Sequence, residues 1–484
     1  MPTPENPFRN GHSKTSSPLV QLTGVQPESE FVPSRFNARR VGDDGALILY
    51  NSFTGSFSAF PPRVRNQVEP LLRKRGFKGK LEGVTKYLYE RGFIVRRGVN
   101  ELDRMRFKFG QMQYRTDRFE LILLASEECN FRCVYCYEAF PRGTMEPWVR
   151  SAVIQWVETK ADWIRNLSIS WFGGEPLLGY EAMQEIGPAI KEITAKNNLR
   201  YTSDITTNGY LLTPDVFRSL LDWNITSFQI TLDGPPEAHD SKRPLKDGGK
   251  TFDQIFENLI AMKSCPDDFK AHLRINFDQQ NLPQIPEYMA LLKDRFGSDS
   301  RFQLRFYPVG KWGGPNDESL EICGRSGYEE RQQLELMAIQ QHINTETRLE
   351  YMQPAKNLSV CYAARPYNFI VGADGKLMKC TIALDTKDYN VVGYLTEDGR
   401  AELDMNKFMQ WVAPSFEDDA TCRKCFYLPV CQGCSCPLER IENDTRPCPP
   451  EKTHIGPTLK TLWVTQRASA TSHTVVPSGG GTGD

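Results

Sequence analysis

Long apolar runs are missing from this 484-residue chain. None reaches the roughly 18 residues that a membrane-crossing helix needs. Excess charge is missing as well. Against 59 Lys and Arg stand 60 Asp and Glu, a formal charge of -1, which gives no electrostatic footprint for nucleic acid or an anionic membrane. The opening Met1-Pro-Thr-Pro-Glu-Asn-Pro7 lacks the charged-then-apolar order of a secretory signal, so a cytoplasmic location is expected. Cysteine is what the chain has in quantity, with 13 residues. Without export, so many thiols point to metal or redox chemistry rather than disulfides. A hydrophobic content of 39% is enough for a globular core, and the length corresponds to roughly two to four domains.

Three of the thiols fall within Cys129-Asn-Phe-Arg-Cys133-Val-Tyr-Cys136, directly after the strand-like run 119–125. A closed structural metal site takes four thiolate or imidazole ligands. Three, with no fourth Cys or His in the next turn, leave one metal corner open for chemistry; a zinc knuckle is the plainer reading. The Cys-x3-Cys-x2-Cys spacing, Tyr135 before the last thiol, and the place after a first strand resemble the signature of the radical SAM superfamily. That resemblance implies a [4Fe-4S] cluster on Cys129, Cys133 and Cys136. Its open iron would chelate S-adenosylmethionine (SAM), whose cleavage gives a 5′-deoxyadenosyl radical.

Residues 119–310 alternate strands (119–125, 167–172, 201–206, 226–232, 271–277 and 301–307) with amphipathic helices. This predicts an α/β class with a parallel sheet, and the resemblance makes it a partial (β/α)6 TIM-type barrel. Ligands in such folds sit at the carboxyl ends of strands. There the sequence has Gly173-Gly174-Glu175-Pro176, then Thr206-Thr207-Asn208-Gly209, then Thr231-Leu-Asp233-Gly234. Two glycines let a backbone approach a ligand, and carbonyls with a carboxylate can accept from an ammonium. By resemblance Gly173, Gly174, Glu175 and Pro176 serve the SAM amino group. Tyr135, Thr207, Asn208, Thr231, Asp233 and Asn276 are further cofactor candidates. In His239-Asp240-Ser-Lys-Arg243, Arg243 is the candidate for the SAM carboxylate, because Arg binds carboxylates bidentately; otherwise it is a solvated loop residue. His239 and Asp240 are expected to shape the loop.

Before the barrel, residues 1–30 read as disordered. Residues 31–112 hold short strands, two helices (about 62–75 and 81–91) and a closing strand. They resemble the winged-helix-like modules, akin to the pyrroloquinoline quinone chaperone, that receive a leader peptide as an added strand. The alternative is a cap with no ligand. After the barrel region 113–312 comes a connector, 313–355, with a helix expected from about Tyr328 to His342.

A second thiol-rich block fills 356–452. It runs Cys361, then Cys380 across an Asp374-Gly375 hairpin turn, then Cys422-x2-Cys425-x5-Cys431, and finally Cys448. The order resembles the SPASM domain, which carries two auxiliary iron–sulfur clusters; zinc ribbons are the alternative. The resemblance implies that Cys361 and Cys380 hold the first cluster with a later Cys, and that Cys422, Cys425, Cys431 and Cys448 hold the second. Where the family has Cys-x3-Cys-Pro, this chain has Cys431-Gln-Gly-Cys434-Ser-Cys436-Pro437. Cys436, before the proline, is the expected ligand of the first cluster, and Cys434 is its fourth ligand or free. Tyr367 is not expected to replace a ligand. The remainder, 453–484, is expected to be mostly disordered.

These readings together imply a radical SAM enzyme that oxidatively modifies a ribosomally made precursor peptide. The leader would sit on the N-terminal module, and a flavodoxin or ferredoxin would supply electrons. The rivals are an anaerobic sulfatase maturase making formylglycine from Cys or Ser, and a non-catalytic iron–sulfur carrier or zinc scaffold.

Overall fold

A computed structural model describes residues 29–73, 75–324, 327–346, 352–353, 361–413, 416–433 and 436–472. The N-terminal part contains two small antiparallel sheets. Strands β1 (Ser29–Pro33), β2 (Asn37–Val41), β3 (Leu47–Asn51) and β4 (Ser56–Phe60) are followed by α1 (Pro62–Val68), β5 (Phe77–Gly79), α2 (Gly83–Glu90) and β6 (Ile94–Arg96). One sheet has the order β5-β1-β6 and the other β2-β3-β4. β1 begins inside the stretch expected to lack order, because Phe31 alternates into a core with Leu49, Phe60, Leu88 and Phe93. The helix α3 (Glu101–Gln113) leads to the barrel. Its apolar signal is thin: only Met105, Phe109 and Gln113 are buried, one stripe at i, i+4, i+8.

The barrel strands are β7 (Arg118–Ser126), β8 (Asn166–Gly173), β9 (Arg200–Thr207), β10 (Ile225–Thr231), β11 (Lys270–Phe277) and β12 (Phe302–Pro308). Each pairs with the next in parallel. Between them lie α4 (Pro147–Lys160), α5 (Tyr180–Lys196), α6 (Pro214–Asp222), α7 (Pro236–Lys242), α8 (Phe252–Ser264) and α9 (Ile285–Phe296), and α10 (Tyr328–Gln340) follows β12. Local chemistry sets these starts. Thr213 caps α6 by accepting from the Val216 N–H at 3.4 Å, with Pro214 at the first helical position. The helix-facing residues of the strands are apolar and buried, as with Ile169, Ile205, Phe228, Leu273 and Leu304. Many of the alternate, lumen-facing residues are polar, among them Ser170, Asp204, Gln229, His272 and Arg305, while Ile122 and Leu124 of the first strand pack with Ile370 and Met378. This departs from the branched aliphatic filling of a closed barrel.

The C-terminal region is continuous with that sheet. Strand β13 (Asn368–Val371) pairs in parallel with β7, and β14 (Lys376–Met378), β15 (Val391–Leu395) and β16 (Ala401–Leu403) follow antiparallel. The result is one ten-stranded sheet ordered β12-β11-β10-β9-β8-β7-β13-β14-β15-β16. Bidentate Arg142 and the Ala373 N–H (2.8 Å) hold the Glu127 carboxylate, fixing the hairpin turn to the chain just before Cys129. The tail departs from expectation. Residues Ile455–Ser472 form a helix, because Leu459 and Leu462 pack against Ile48 and Tyr50 of the N-terminal part. Lys460 reaches Asp43 at 2.5 Å, and the Trp463 indole N–H donates to Asp44 at 3.0 Å. Residues 1–28 and 473–484, also expected to be disordered, lie outside the described residues. No helix among the described residues is long and apolar enough to cross a membrane.

Candidate active site

Strand β7 delivers the chain to Cys129 at the carboxyl end of the sheet, and the loop to Cys136 folds over the lumen. Backbone bonds from Arg132 to the Pro244 carbonyl and from Val134 to the Lys242 carbonyl, both 2.9 Å, pin this loop to the end of α7 and the residues that follow it. All three thiols line one chamber. Burial pushes the Cys129 and Cys136 thiols up to about 12, and raises Cys133 as well. Thiols so placed stay protonated until a metal takes the proton's place.

Gly173, Gly174, Thr207, Asn208, Thr231, Arg243, Asn276 and Tyr135 line the same chamber. Glu175, Pro176 and Asp233 do not. Glu175 is wholly buried behind the wall, where it accepts from the Thr207 hydroxyl (2.7 Å), the Asn208 N–H (2.7 Å) and the Leu177 N–H (3.0 Å). It fastens the end of β9 to the loop after β8. Pro176 starts the single turn that follows. Asp233 accepts from the Tyr135 hydroxyl and from the Asn276 N–H at 2.9 Å. Burial raises both carboxyls, and these hydrogen bonds pull against it.

The glycine pair also serves another purpose than close approach to a ligand. A Cβ at Gly173 would lie 2.1 Å from the Ser126 carbonyl oxygen, and one at Gly174 2.5 Å from that of Glu128. Gly173 also has φ +126°, a backbone conformation that L side chains rarely adopt. The pair therefore lets the β8 loop press on the backbone just before Cys129, which sets the position of the first thiol.

Tyr135 is the hub of the opposite wall. Its hydroxyl receives the Arg243 guanidinium at 2.8 Å and the Asn276 amide at 3.1 Å. Arg243 also lies over the Phe131 ring, 5.6 Å from its centroid, and its Nε has no partner. It is buried, not solvated. His239 and Asp240 hold the loop: the His239 ring accepts from the Asp233 N–H at 3.1 Å, and Asp240 accepts from the Thr251 and Phe252 N–H groups at 2.9 Å.

Glu138, Gln229, Arg274 and Trp312, none of them among the expected site residues, line the chamber too. Gln229 and Arg274 stand two residues before Thr231 and Asn276, so strand periodicity was the available signal. Glu138, raised to about 8 by burial and by Glu127, sits two residues past the last thiol. Trp312 lies in an irregular segment that gives no such signal. Thr206 and Gln229 also line a second cavity, a polar trough walled by Asp204, His272, Gln303 and Arg305, which extends toward the amino ends of the strands at Thr202, Lys270 and Arg301. Burial brings the Asp204 carboxyl up to about 6 and the His272 ring down to about 4.

Two further thiol groups lie in the C-terminal region. Cys380 is raised by burial, with Cys436 adding to the effect, and the Tyr362 hydroxyl interacts with Cys380 and with Cys361. Tyr367 is 41% exposed and lines a separate groove. Cys434 lies outside the described residues. Burial pushes Cys431 up to about 12, and Cys425, Cys422 and Cys448 each add to that. Lys452 donates to the Cys448 sulfur at 2.8 Å. Among the described residues no three His, Cys, Asp or Glu side chains gather as ligands of one ion. A single zinc draws its thiolates to about 2.3 Å, whereas a four-iron cube carries them on separate irons. An all-thiol donor set has the chemistry that iron–sulfur groups require.

Residues 123–289 match the model of the radical SAM superfamily, so the chain carries a radical SAM domain. That family implies a [4Fe-4S] cluster and SAM. The chain is 25% identical over 252 residues to the radical SAM cyclopropyl synthase TigE of Paramaledivibacter caminithermalis, covering 46% of this chain and 52% of that one. It thus spans about half the length of that relative. It is 23% identical over 339 residues to a cysteine-type anaerobic sulfatase-maturating enzyme of Clostridium novyi, covering 65% of this chain and 87% of that one. Among solved structures, anSMEcpe with bound AdoMet and the Cp18Cys peptide aligns with a TM-score of 0.54 at 18% identity, covering 74% of this chain and all of that one. That likeness is one of fold.

Proposed function

We propose that this chain, through its radical SAM domain, oxidatively modifies a ribosomally made precursor peptide. The observation that carries the reading is the single chamber that gathers the thiol trio, the Gly173-Gly174 backbone and Arg243 at the carboxyl ends of the strands. Cys129, Cys133 and Cys136 would hold the [4Fe-4S] cluster, which with SAM supplies a hydrogen-abstracting adenosyl radical. Arg243, with its free Nε edge, would receive the SAM carboxylate, and the chamber-lining backbone of Gly173 and Gly174 the amino group. Thr207, Asn208, Thr231 and Asn276 present hydroxyls and amides suited to the ribose and methionine portions. Phe131, Phe140 and Phe172 wall the chamber with apolar surface that excludes water.

The trough's hydrogen-bonding side chains suit a peptide, whose backbone N–H and C=O groups need partners when buried. The two C-terminal thiol groups would hold auxiliary clusters that pass electrons on, and a flavodoxin or ferredoxin would reduce the enzyme. Residues 29–113 would receive the leader at a sheet edge, keeping the core peptide at high local concentration.

Tyr135→Phe removes the hydroxyl shared by Arg243, Asn276 and Asp233. The expected result is a rise of about 10-fold in the KM for SAM, with clusters intact by iron content. The reading itself is tested by anaerobic co-expression with candidate precursor peptides, followed by mass measurement. A loss of two hydrogens supports a crosslink. Conversion of a thiol or hydroxyl to formylglycine would favour sulfatase maturation, the reading to which the 87% coverage of the Clostridium novyi enzyme lends weight. Zinc without iron, and no 5′-deoxyadenosine, would defeat both.

A further inference from the structure

Between Cys425 and Cys431 the chain reads Phe-Tyr-Leu-Pro-Val, an apolar run inside a thiol-bearing loop. Such a run needs a partner surface, and the barrel does not supply it. Tyr427, Leu428 and Val430 are buried against the N-terminal part. Tyr427, Val430 and the sulfur-bearing Cys425 and Cys431 pack with Ile48, Tyr50 and Phe57 of the β2-β3-β4 sheet. Cys422 and Cys425 pack in the group of Phe36, Phe53, Met105, Phe109 and Leu428. Phe36 and Phe53 are stacked, with centroids 5.8 Å apart.

Polar contacts close the same seam. The Ser52 hydroxyl donates to the Phe426 carbonyl, and the Arg35 guanidinium to the Arg423 carbonyl. Arg106 grips Glu417 with two bonds, at 3.0 and 2.8 Å. Cys448, by contrast, is exposed. The Cys422, Cys425, Cys431 and Cys448 group therefore has one open side and one side closed by another part of the molecule.

We propose that the N-terminal module is the missing wall of this thiol quartet, with Phe36, Tyr50 and Phe53 as positioning residues for the cluster it holds. The inference rests on the iron–sulfur reading of the quartet, and it goes beyond leader recognition by giving the module a second task. Solvent admitted through the module side stabilises the more negatively charged reduced cluster, so opening the wall raises the reduction potential. It also exposes iron to chelators. Module and quartet are then coupled reciprocally: losing the cluster loosens the module.

The test uses the full chain reconstituted anaerobically, in parent form and as Phe53→Ala and Ser52→Ala. A Cys422→Ser/Cys425→Ser chain identifies which phase of iron release to a ferrous chelator belongs to the quartet. In Phe53→Ala that phase should accelerate about 10-fold, and the potential of the matching signal in an EPR-monitored titration should move upward. The other release phases should keep the parent rate. Ser52→Ala removes only a hydroxyl and should show the same changes at smaller size, so it decides the matter if Phe53→Ala fails to fold. Parent-like release and potential in folded variants overturn the proposal. So does a parent chain that binds no iron at the quartet. Neither result touches SAM cleavage or the peptide mass change, which test the proposed function separately.

Discussion

Replacing Cys129, Cys133 and Cys136 together by alanine should bring release of 5′-deoxyadenosine from SAM down to background in an anaerobically reconstituted preparation. Loss of ligands should exceed the roughly 100-fold that changes outside the coordination sphere cost. The three thiols share one chamber and are held at high pKa by burial, so without metal they have no means of ionising near neutral pH. Removing them would leave the chamber without the thiols proposed to hold the cluster. The surrounding architecture should survive, since alanine removes one sulfur each at Cys129, a buried member of the large core, and at Cys133, packed against it. Iron content should fall by one cluster, and iron at the C-terminal thiols, proposed above to hold auxiliary clusters, should stay. Persistent SAM cleavage in the triple variant would show that the chemistry lies elsewhere.

Gly173→Ala should be nearly as damaging by a different route. The new methyl would meet the Ser126 carbonyl at 2.1 Å, and the residue would be held at φ +126°. The conformation alone costs about 1–3 kcal/mol, and the clash adds to it. The strain can be relieved only by moving either the end of β7 or the loop after β8, and both position Cys129. The expected outcome is a melting temperature lower by several degrees and less than half the parent's iron at the trio after reconstitution. Full iron loading with parent-like SAM cleavage would mean that this contact does not set the thiol geometry.

The barrel was legible because short apolar or alternating strands recur at regular spacing and its helices carry Pro, Thr or charge at their starts. Each expected strand lies within a residue or so of the observed one. The chamber was legible where side-chain type and strand end coincide, as at Thr207, Asn208 and Thr231, and at Arg243 through the His239-Asp240-Ser-Lys-Arg243 stretch. It was not legible where a motif residue turns away. Nothing in Gly-Gly-Glu-Pro says that the Glu175 carboxylate faces Thr207 behind the wall, because that depends on the φ of Gly173. The helix after Ile455 was missed because its burial comes from Ile48 and Tyr50, some 400 residues earlier in the chain. Composition cannot register a partner so remote. Strand β1 was hidden for a similar reason, with its partners Phe77–Gly79 and Ile94–Arg96 far ahead in sequence.

Strand β7 has β8 on one flank and β13 on the other, so the hairpin that follows Cys361 completes the strand from which the first thiol hangs. Severed from that hairpin, β7 would present a row of bare amides and carbonyls along an apolar ribbon, Leu121-Ile122-Leu123-Leu124, ready to template association with another molecule. The barrel and the thiol-rich region therefore cannot be dissected by truncation and must be interrogated by point changes within the intact polypeptide.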